Sequence, residues 1–487
     1  MKRQVLRLVE AGRRGEEMGL DPSIVKELIR ITDEERVLLS LDERYTYAFD
    51  ASFGTYLPDV VVFPQSATEI AEIMKLANRE QIPVTPRGGG TSLSGGPLPV
   101  AGGIVLAMTR MNKLLRIDRD NLIAFVEPGI TTAELQREAE KAGLFYPPDP
   151  SSSNVSTIGG NLAENSGGPH GLKYGVTKHY VIGLEVVTPQ GEIIRTGGMT
   201  VKNVTGYDLT SLIVGSEGTL GIITKAVLRL IPKPPARKAL MAIFDEIVDS
   251  GRAISGILKN GILPAKLEMM DQASIRAVEN YQPSGLPLDA AAILLLEVDG
   301  HPAAVDEEIR KAAQICRQYA AREVRLAADE AERAELWKAR KLVSPAISQV
   351  KPTKISEDAT VPRSKIPEML ERLRQIREKY QLHLVVFGHA GDGNLHPNII
   401  ADSRDRDEMK RVEEAVAEIF KAAVELGGTL SGEHGIGTMK PAFMEMELGS
   451  AGLDMMRRIK QAWDPNNILN PFKIFPQPGQ TRVVLTE

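Results

Sequence analysis

From Asp59 to Gly96 the chain reads DVVVFP, SATEIAEIMKLANRE, IPVTP and RGGGTSLSGG in succession, and no other stretch limits the fold as tightly. The first run is β-branched and stops at Pro64. In the second, Ser66 and Glu69 have capping-box spacing, and Ile70, Ile73, Met74 and Ala77 recur along one face of a helix. IPVTP (82–86) is a second strand. A strand, a helix, a strand and then a glycine-rich loop make a βαβ unit that delivers a flexible loop at a strand end.

The same mixture continues. Thr131 and Glu134 repeat the capping spacing at the start of the helix AELQREAEKAGL. YVIGLEVVTPQGEIIRTG (180–197) and LGIITKAVLRLIP (220–232) are strand-like, which completes an α+β region. The prolines of IPKPPARK (231–238) mark a boundary. Beyond it KALMAIFD, PAKLEMMD and AAILLLEVDG read as strands alternating with helices such as DEEIRKAAQICRQYAA, a second α+β domain.

Composition sets outer limits. With 487 residues, 43% hydrophobic and 25% charged, the chain can bury a large core, and roughly 150 residues per domain suggests about three lobes. A formal charge of -5 leaves no footprint for nucleic acid, and no window reaches the ~18 uninterrupted apolar residues that span a bilayer. MKRQVLRLVEAGRRGEE lacks the apolar core and cleavage site of a signal peptide and reads as an amphipathic helix, so the cytoplasm is the default compartment. Cys316 is the only cysteine, which excludes an internal disulfide and a Cys-ligated iron–sulfur cluster carried by this chain alone.

In RGGGTSLSGG the glycines let backbone N–H groups turn into one concavity, and Thr91, Ser92 and Ser94 add hydroxyls, which suits a phosphate. The loop is neither a Walker A nor a G-x-G-x-x-G turn, and a merely flexible surface loop is the alternative. DPSSSNVSTIGGNLAENSGGPHGLKYG (149–175) and GYDLTSLIVGSEGTLGIIT (206–224) repeat the same mix of Gly, Ser, Thr and Asn. Three such loops point to one long polar ligand laid against several backbones.

A second constellation lies in FGHAGDGNLHPNII (387–400) and SGEHGIGTMKP (431–441). HLVVF predicts a strand ending at Gly388, and the turn residues of GDGN would bring His396 back beside His389. With Glu433 the two imidazoles offer two nitrogens and one oxygen, a set suited to Zn²⁺ and compatible with Mn²⁺ or Fe²⁺. The alternative is that the histidines satisfy hairpin backbones.

Together PRGGGTSLSGG, DPSSSNVSTIGGNLAENSGG, VGSEGTLGIIT, GHAGDGNLHPN and SGEHGIG closely resemble the flavin-linked 2-hydroxy-acid dehydrogenases with the vanillyl-alcohol-oxidase (PCMH) type of FAD-binding domain. Within that superfamily the resemblance is nearest to the glycolate oxidase flavin subunit and the D-lactate dehydrogenases, and it runs in order from about residue 40 to 475. It implies an α+β chain: an N-terminal helical segment (1–53), a two-subdomain FAD-binding domain (54–233), a ferredoxin-like cap carrying the metal site (234–440) and a C-terminal segment (441–487) returning to the FAD domain.

The resemblance also implies roles. Arg87, Gly88, Gly89, Gly90, Thr91, Ser92 and Gly95 would hold the FAD pyrophosphate. Pro150, Ser151, Thr157, Gly159, Gly160 and Asn161 would line the flavin and its linker, Glu217, Gly218, Ile222 and Thr224 the far end, and Asn470 the isoalloxazine. Thr91 stands where relatives often carry a tethering histidine, so FAD is expected to bind noncovalently. His389, His396 and Glu433 would bind the metal, His434 would be the base, and Arg340 would grip the substrate carboxylate. Relatives acting on 2-hydroxyglutarate carry a lysine at the position of Ser356, with Lys354 two residues upstream, which favours glycolate or D-lactate. Alternatives are a flavin oxidase using O₂ directly, a D-2-hydroxyglutarate dehydrogenase and a noncatalytic flavin-binding subunit. Without cluster-forming cysteines, electrons would pass to an iron–sulfur subunit, an electron-transfer flavoprotein, a cytochrome or a quinone. Peripheral membrane association through a partner, and a homodimer, are compatible with this assignment.

Overall fold

The computed structural model describes residues 19–483 and 485. The amphipathic helix expected over MKRQVLRLVEAGRRGEE therefore lies outside the described residues. The chain forms two compact units. The first comprises Met1–Ser166, Thr177–Pro232 and His434–Thr481, and the second Gly167–Val176, Lys233–Glu433 and Arg482–Glu487.

In the first unit the βαβ frame forms as its sequence dictates. The strands Val60–Val62 and Val84–Arg87 flank Ile104–Ala107 in parallel, and Val37–Leu38 adds an antiparallel edge. The helix Ala67–Glu80 is capped by Ser66, whose side chain accepts from the Glu69 N–H, and it buries Ile70, Ile73, Met74 and Ala77. Only half of the expected capping box is present. The Glu69 carboxylate accepts from Gln65 N and Arg36 Nη1, each at 2.8 Å, because a nearby guanidinium competes for it. The other sheet of this unit is antiparallel, in the order Leu114–Asp118, Ile123–Val126, Ile222–Arg229, Val181–Val187, Ile193–Gly197. These two sheets are the two subdomains.

The C-terminal segment returns to the first sheet. Val84 N donates to Ile468 O and Asn470 N to Val84 O, both at 2.8 Å, and Ile468 and Leu469 join the core of Ile70, Met74, Val84 and Leu106.

In the second unit, Ala236–Phe244, Ile247–Lys259, Lys266–Asp271, Ala292–Gly300, Pro302–Gln318 and Glu323–Leu326 run strand, helix, strand, strand, helix, strand, with a further helix, Gln272–Tyr281, inserted between the second and third strands. These four strands lie in the spatial order fourth, first, third, second, with antiparallel pairing throughout, which is the ferredoxin-like arrangement. The sheet continues past Lys266–Asp271 into the hairpin His383–His389 and Asn394–Ala401, then Thr353–Ser356. That continuation positions the second unit's site.

The sequence reading groups residues 434–440 with the cap. In the structure, His434–Thr481 belong to the first unit, where Ile436 and Gly437 donate their backbone N–H groups to the Glu217 carboxylate.

Candidate active site

In the second unit the hairpin forms where GDGN predicts it, with one difference. The strand runs one residue beyond Gly388 to include His389, which pairs with Asn394. His396 lies opposite Phe387, diagonal to His389. Their rings meet edge to face with centroids 4.9 Å apart, and both are buried.

The two Nε2 atoms converge on one oxygen: Glu433 Oε1 is 3.0 Å from His389 Nε2 and 3.2 Å from His396 Nε2. Behind each ring stands a fully buried carboxylate. Glu268 Oε1 lies 2.6 Å from His389 Nδ1 and Asp358 Oδ1 lies 3.2 Å from His396 Nδ1. His389, hydrogen-bonded at Nδ1 to Glu268 and aimed with Nε2 at Glu433, forms the carboxylate–histidine–metal pattern, in which the acid fixes tautomer and orientation, and Asp358 stands at ion-pair distance behind His396.

Asp358 also holds the loop that carries Glu433. Its Oδ2 accepts from Ser431 Oγ (3.0 Å), Gly432 N (3.0 Å) and Glu433 N (3.1 Å). Gly167 completes the fit, since a Cβ there would lie 2.8 Å from Glu433 Oε2.

Charge follows this geometry. Burial alone would push both histidines down, but Glu268 and Glu433 hold His389 well above its ordinary value, and Asp358 and Glu433 raise His396. Burial would raise Glu433, yet the His389 charge and hydrogen bonds from both rings hold it well below the usual carboxylate range. Asp358, His396 and Glu433 offer ligand atoms within 4.8 Å of one another, so the donor chemistry fits a divalent metal.

Arg340 does not stand alone on a helix face. It is buried, its Nε (2.8 Å) and Nη2 (2.7 Å) engage Glu268 Oε2, and its guanidinium carbon lies 4.7 Å from the Phe387 ring centroid. Its Nη1 makes no protein hydrogen bond among the described residues. Ser344 follows four residues on, with helical geometry kept through Leu342, and the Lys354 ammonium donates to Ser344 Oγ at 2.9 Å. Burial pushes Lys354 below its ordinary value.

Sequence reasoning missed Glu268 and Asp358. Each acid comes from a segment distant in sequence, and a buried glutamate inside the otherwise strand-like KLEMMD was the one available signal.

In the first unit the glycine-rich loops meet. A Cβ at Gly88 would lie 2.3 Å from Thr157 Oγ1, and one at Gly89 2.5 Å from Val155 O. Gly90 and Gly95 take positive φ of 68° and 85°. Thr157 caps the helix Ile158–Glu164 that holds Gly159, Gly160 and Asn161. Asn470 donates to Gly96 O (2.9 Å) and Glu217 O (2.7 Å), which ties the loops together. Ser92 donates to Glu164 Oε1 at 3.0 Å, Thr91 is half-buried, Pro150 is buried and Ser151 exposed.

Some predicted ligands spend their side chains inside the protein. Asn161 donates to Thr132 Oγ1 at 2.6 Å, Thr224 donates to Glu185 O at 3.1 Å, and Ile222 is core. Gly218 packs on Pro86. Glu217, expected at the far end of FAD, accepts from Ile436 N (2.7 Å) and Gly437 N (2.6 Å), and so anchors the segment that begins at His434. His434 itself is half-buried and follows Glu433 directly.

Arg87 carries the strongest sign of an anion-binding site. It is buried, its Nη2 donates to Phe49 O at 2.7 Å, and its Nη1 is buried with no hydrogen-bond partner. A buried guanidinium with an unpaired nitrogen beside a glycine loop fits a phosphate. Lys473, also buried, contacts Leu98 O and lies 3.1 Å from Asn470 Oδ1.

Residues 58–197 match the family of the FAD binding domain, and residues 233–474 match FAD linked oxidases, C-terminal domain. The glycolate oxidase subunit GlcD of Bacillus subtilis is 48% identical over 462 residues, 95% of this chain and 98% of that protein. The chain belongs to the FAD-linked oxidases. The D-lactate dehydrogenase of Anaerostipes hadrus is 34% identical over 93% of this flavoprotein and 97% of its own length. The structure of p-cresol methylhydroxylase with substrate bound superposes with a TM-score of 0.78 at 18% identity, covering 93% of this chain and 96% of that one, so the two share a fold. No helix among the described residues is long and apolar enough to cross a membrane.

Proposed function

We propose that this oxidoreductase converts a small D-2-hydroxy acid, glycolate or D-lactate, to the 2-oxo acid. The convergence of His389 and His396 on Glu433, each ring backed by a buried carboxylate, carries this reading. The names of the two curated relatives support it.

His389, His396 and Glu433 would hold a divalent ion, which when bound lowers the pKa of a chelated hydroxyl. Arg340, immobilised by Glu268, would offer its free Nη1 to the substrate carboxylate. His434 would take the hydroxyl proton, a role suited to an imidazole near neutral pH. Arg87 and the glycine loops would bind FAD noncovalently, and FAD when bound accepts the α-hydrogen with its electron pair. Two electrons leave the substrate in that step, and with Cys316 as the only cysteine they pass on to a separate acceptor.

Lys354 favours a second reading. Its half-buried ammonium on Ser344 adds a cation one helical turn from Arg340, which suits a dicarboxylic 2-hydroxy acid such as D-2-hydroxyglutarate. Anaerobic flavin bleaching with glycolate, D-lactate and D-2-hydroxyglutarate separates the readings. Reduction by the two monocarboxylates at the higher kcat/KM supports the first, a preference for D-2-hydroxyglutarate supports the second, and bleaching by none of them removes both.

A further inference from the structure

Glu268 sits within Lys266–Asp271 with its side chain wholly buried. Its two oxygens serve different partners: Oε1 lies 2.6 Å from His389 Nδ1, and Oε2 is gripped by Arg340 Nε at 2.8 Å and Nη2 at 2.7 Å. Burial would raise this acid, but the His389 and Arg340 charges hold it below its ordinary value. Arg340 is fixed a second time by the Phe387 ring, two residues before His389 in the same strand. Each group is thereby held by the others.

A carboxylate needed only to neutralise Arg340 could leave its other oxygen to water or a backbone amide. Here that oxygen meets an imidazole whose far nitrogen faces Glu433. A 2-hydroxy acid places its carboxylate and hydroxyl one carbon apart, so a site reading both groups needs its clamp and its ion at a set spacing. Strand and helix packing bring the two elements together, but among the described residues only Glu268 bonds to both side chains.

We propose that Glu268 is a positioning residue that joins the carboxylate clamp at Arg340 to the metal ligand His389, setting the spacing at which carboxylate and hydroxyl are read. This rests on the function proposed above. Glu268 touches neither substrate nor ion and acts through the two side chains it holds.

The test uses FAD-loaded protein and two binding measurements that need no turnover. Zn²⁺ affinity is read by titration against a competing chelator. Propionate, which has the carboxylate but no hydroxyl, is titrated into metal-stripped protein by calorimetry. In Glu268→Gln the amide nitrogen confronts a donor whichever way it turns. Zn²⁺ affinity should fall about 10- to 100-fold, the usual effect of losing the partner of a ligating histidine, and propionate affinity by about 10-fold, the loss of one charge-assisted contact. Flavin content should stay near wild type, while the melting temperature should fall because the buried Arg340 guanidinium loses its counter-charge. Glu268→Asp keeps the charge but is too short to reach both partners, so it should show the same double loss.

A change in only one affinity, or full rescue of both by Asp, overturns the proposal, as does failure of both variants to fold, which would make Glu268 a stability element. Wild-type protein that binds no Zn²⁺ refutes instead the metal centre of the proposed function, whereas wild-type binding with an unaffected Glu268→Gln refutes this inference alone.

Discussion

Glu217 and Gly437 are joined by a hydrogen bond of 2.6 Å from the Gly437 backbone N–H to Glu217 Oε2, while Oε1 takes the Ile436 N–H at 2.7 Å. Glu217 holds this grip from a left-handed backbone, at φ 51°. The carboxylate therefore anchors the loop two residues after His434. Glu217→Ala should leave FAD and metal contents near wild type while substrate-driven flavin reduction slows by about 100-fold, the scale of a misplaced catalytic group. Loss of FAD with an unchanged rate in the remaining holoenzyme would return Glu217 to cofactor binding.

Metal and base should separate by substitution. His396→Ala removes one of the proposed ligands, so purified protein should hold much less divalent metal, and excess metal should partly restore activity. His434→Gln keeps a polar side chain after Glu433 but accepts no proton, so metal and FAD should be retained while anaerobic flavin reduction slows by about two to four orders of magnitude. The opposite pattern would exchange the two roles.

Arg340→Met should weaken hydroxy-acid binding by roughly 2 to 4 kcal/mol, the cost of truncating one partner of a buried charged contact. The structure adds a second consequence. Glu268 loses its guanidinium, and leaving a buried carboxylate short of its partner is destabilising, so the melting temperature should fall as well. A rise in KM with no loss of stability would mean that the Glu268 pair contributes little to the fold.

Much of this was legible in the sequence. The helix Ala67–Glu80 and the histidine hairpin announce themselves because period and turn chemistry are local. Glu268 and Asp358 do not, since nothing near KLEMMD says that its strand will lie beside His383–His389. Sheet order decided that, and sheet order is a tertiary choice. Glu217 shows the same limit: within a glycine-rich loop it reads as a ligand contact, and its grip on residues 436–437 follows only from their return in the fold.

Thr91, at the position where the sequence reading expects a tethering histidine in covalent relatives, predicts noncovalent flavin. Acid precipitation should release yellow FAD into the supernatant. Flavin remaining in the washed pellet would reveal a covalent bond that this loop does not suggest.

Lys473 yields a pH dependence whose sign can be worked out. Burial pushes its ammonium down to about 7, against an ordinary value of 10.5, although Asp50, Glu217 and Glu164 pull the other way. A lysine lowered on folding binds more protons in the unfolded chain throughout that window, so it contributes a term that increases stability as pH rises from about 7 towards 10.5. Below the folded value both states are protonated and the full cost of burying the charge is present. Lys473→Met removes this term. The difference in stability, variant minus wild type, should favour the variant most at and below pH 7 and shrink progressively by pH 10, where a neutral Lys473 keeps its contacts to Leu98 O and Asn470 Oδ1. Denaturant unfolding of flavin-free protein at pH 6.5, 8 and 9.5, fitted separately for wild type and variant, reads the difference directly. A pH-independent difference would mean that Lys473 titrates near its unfolded value, and that its neighbouring acids compensate its burial in full.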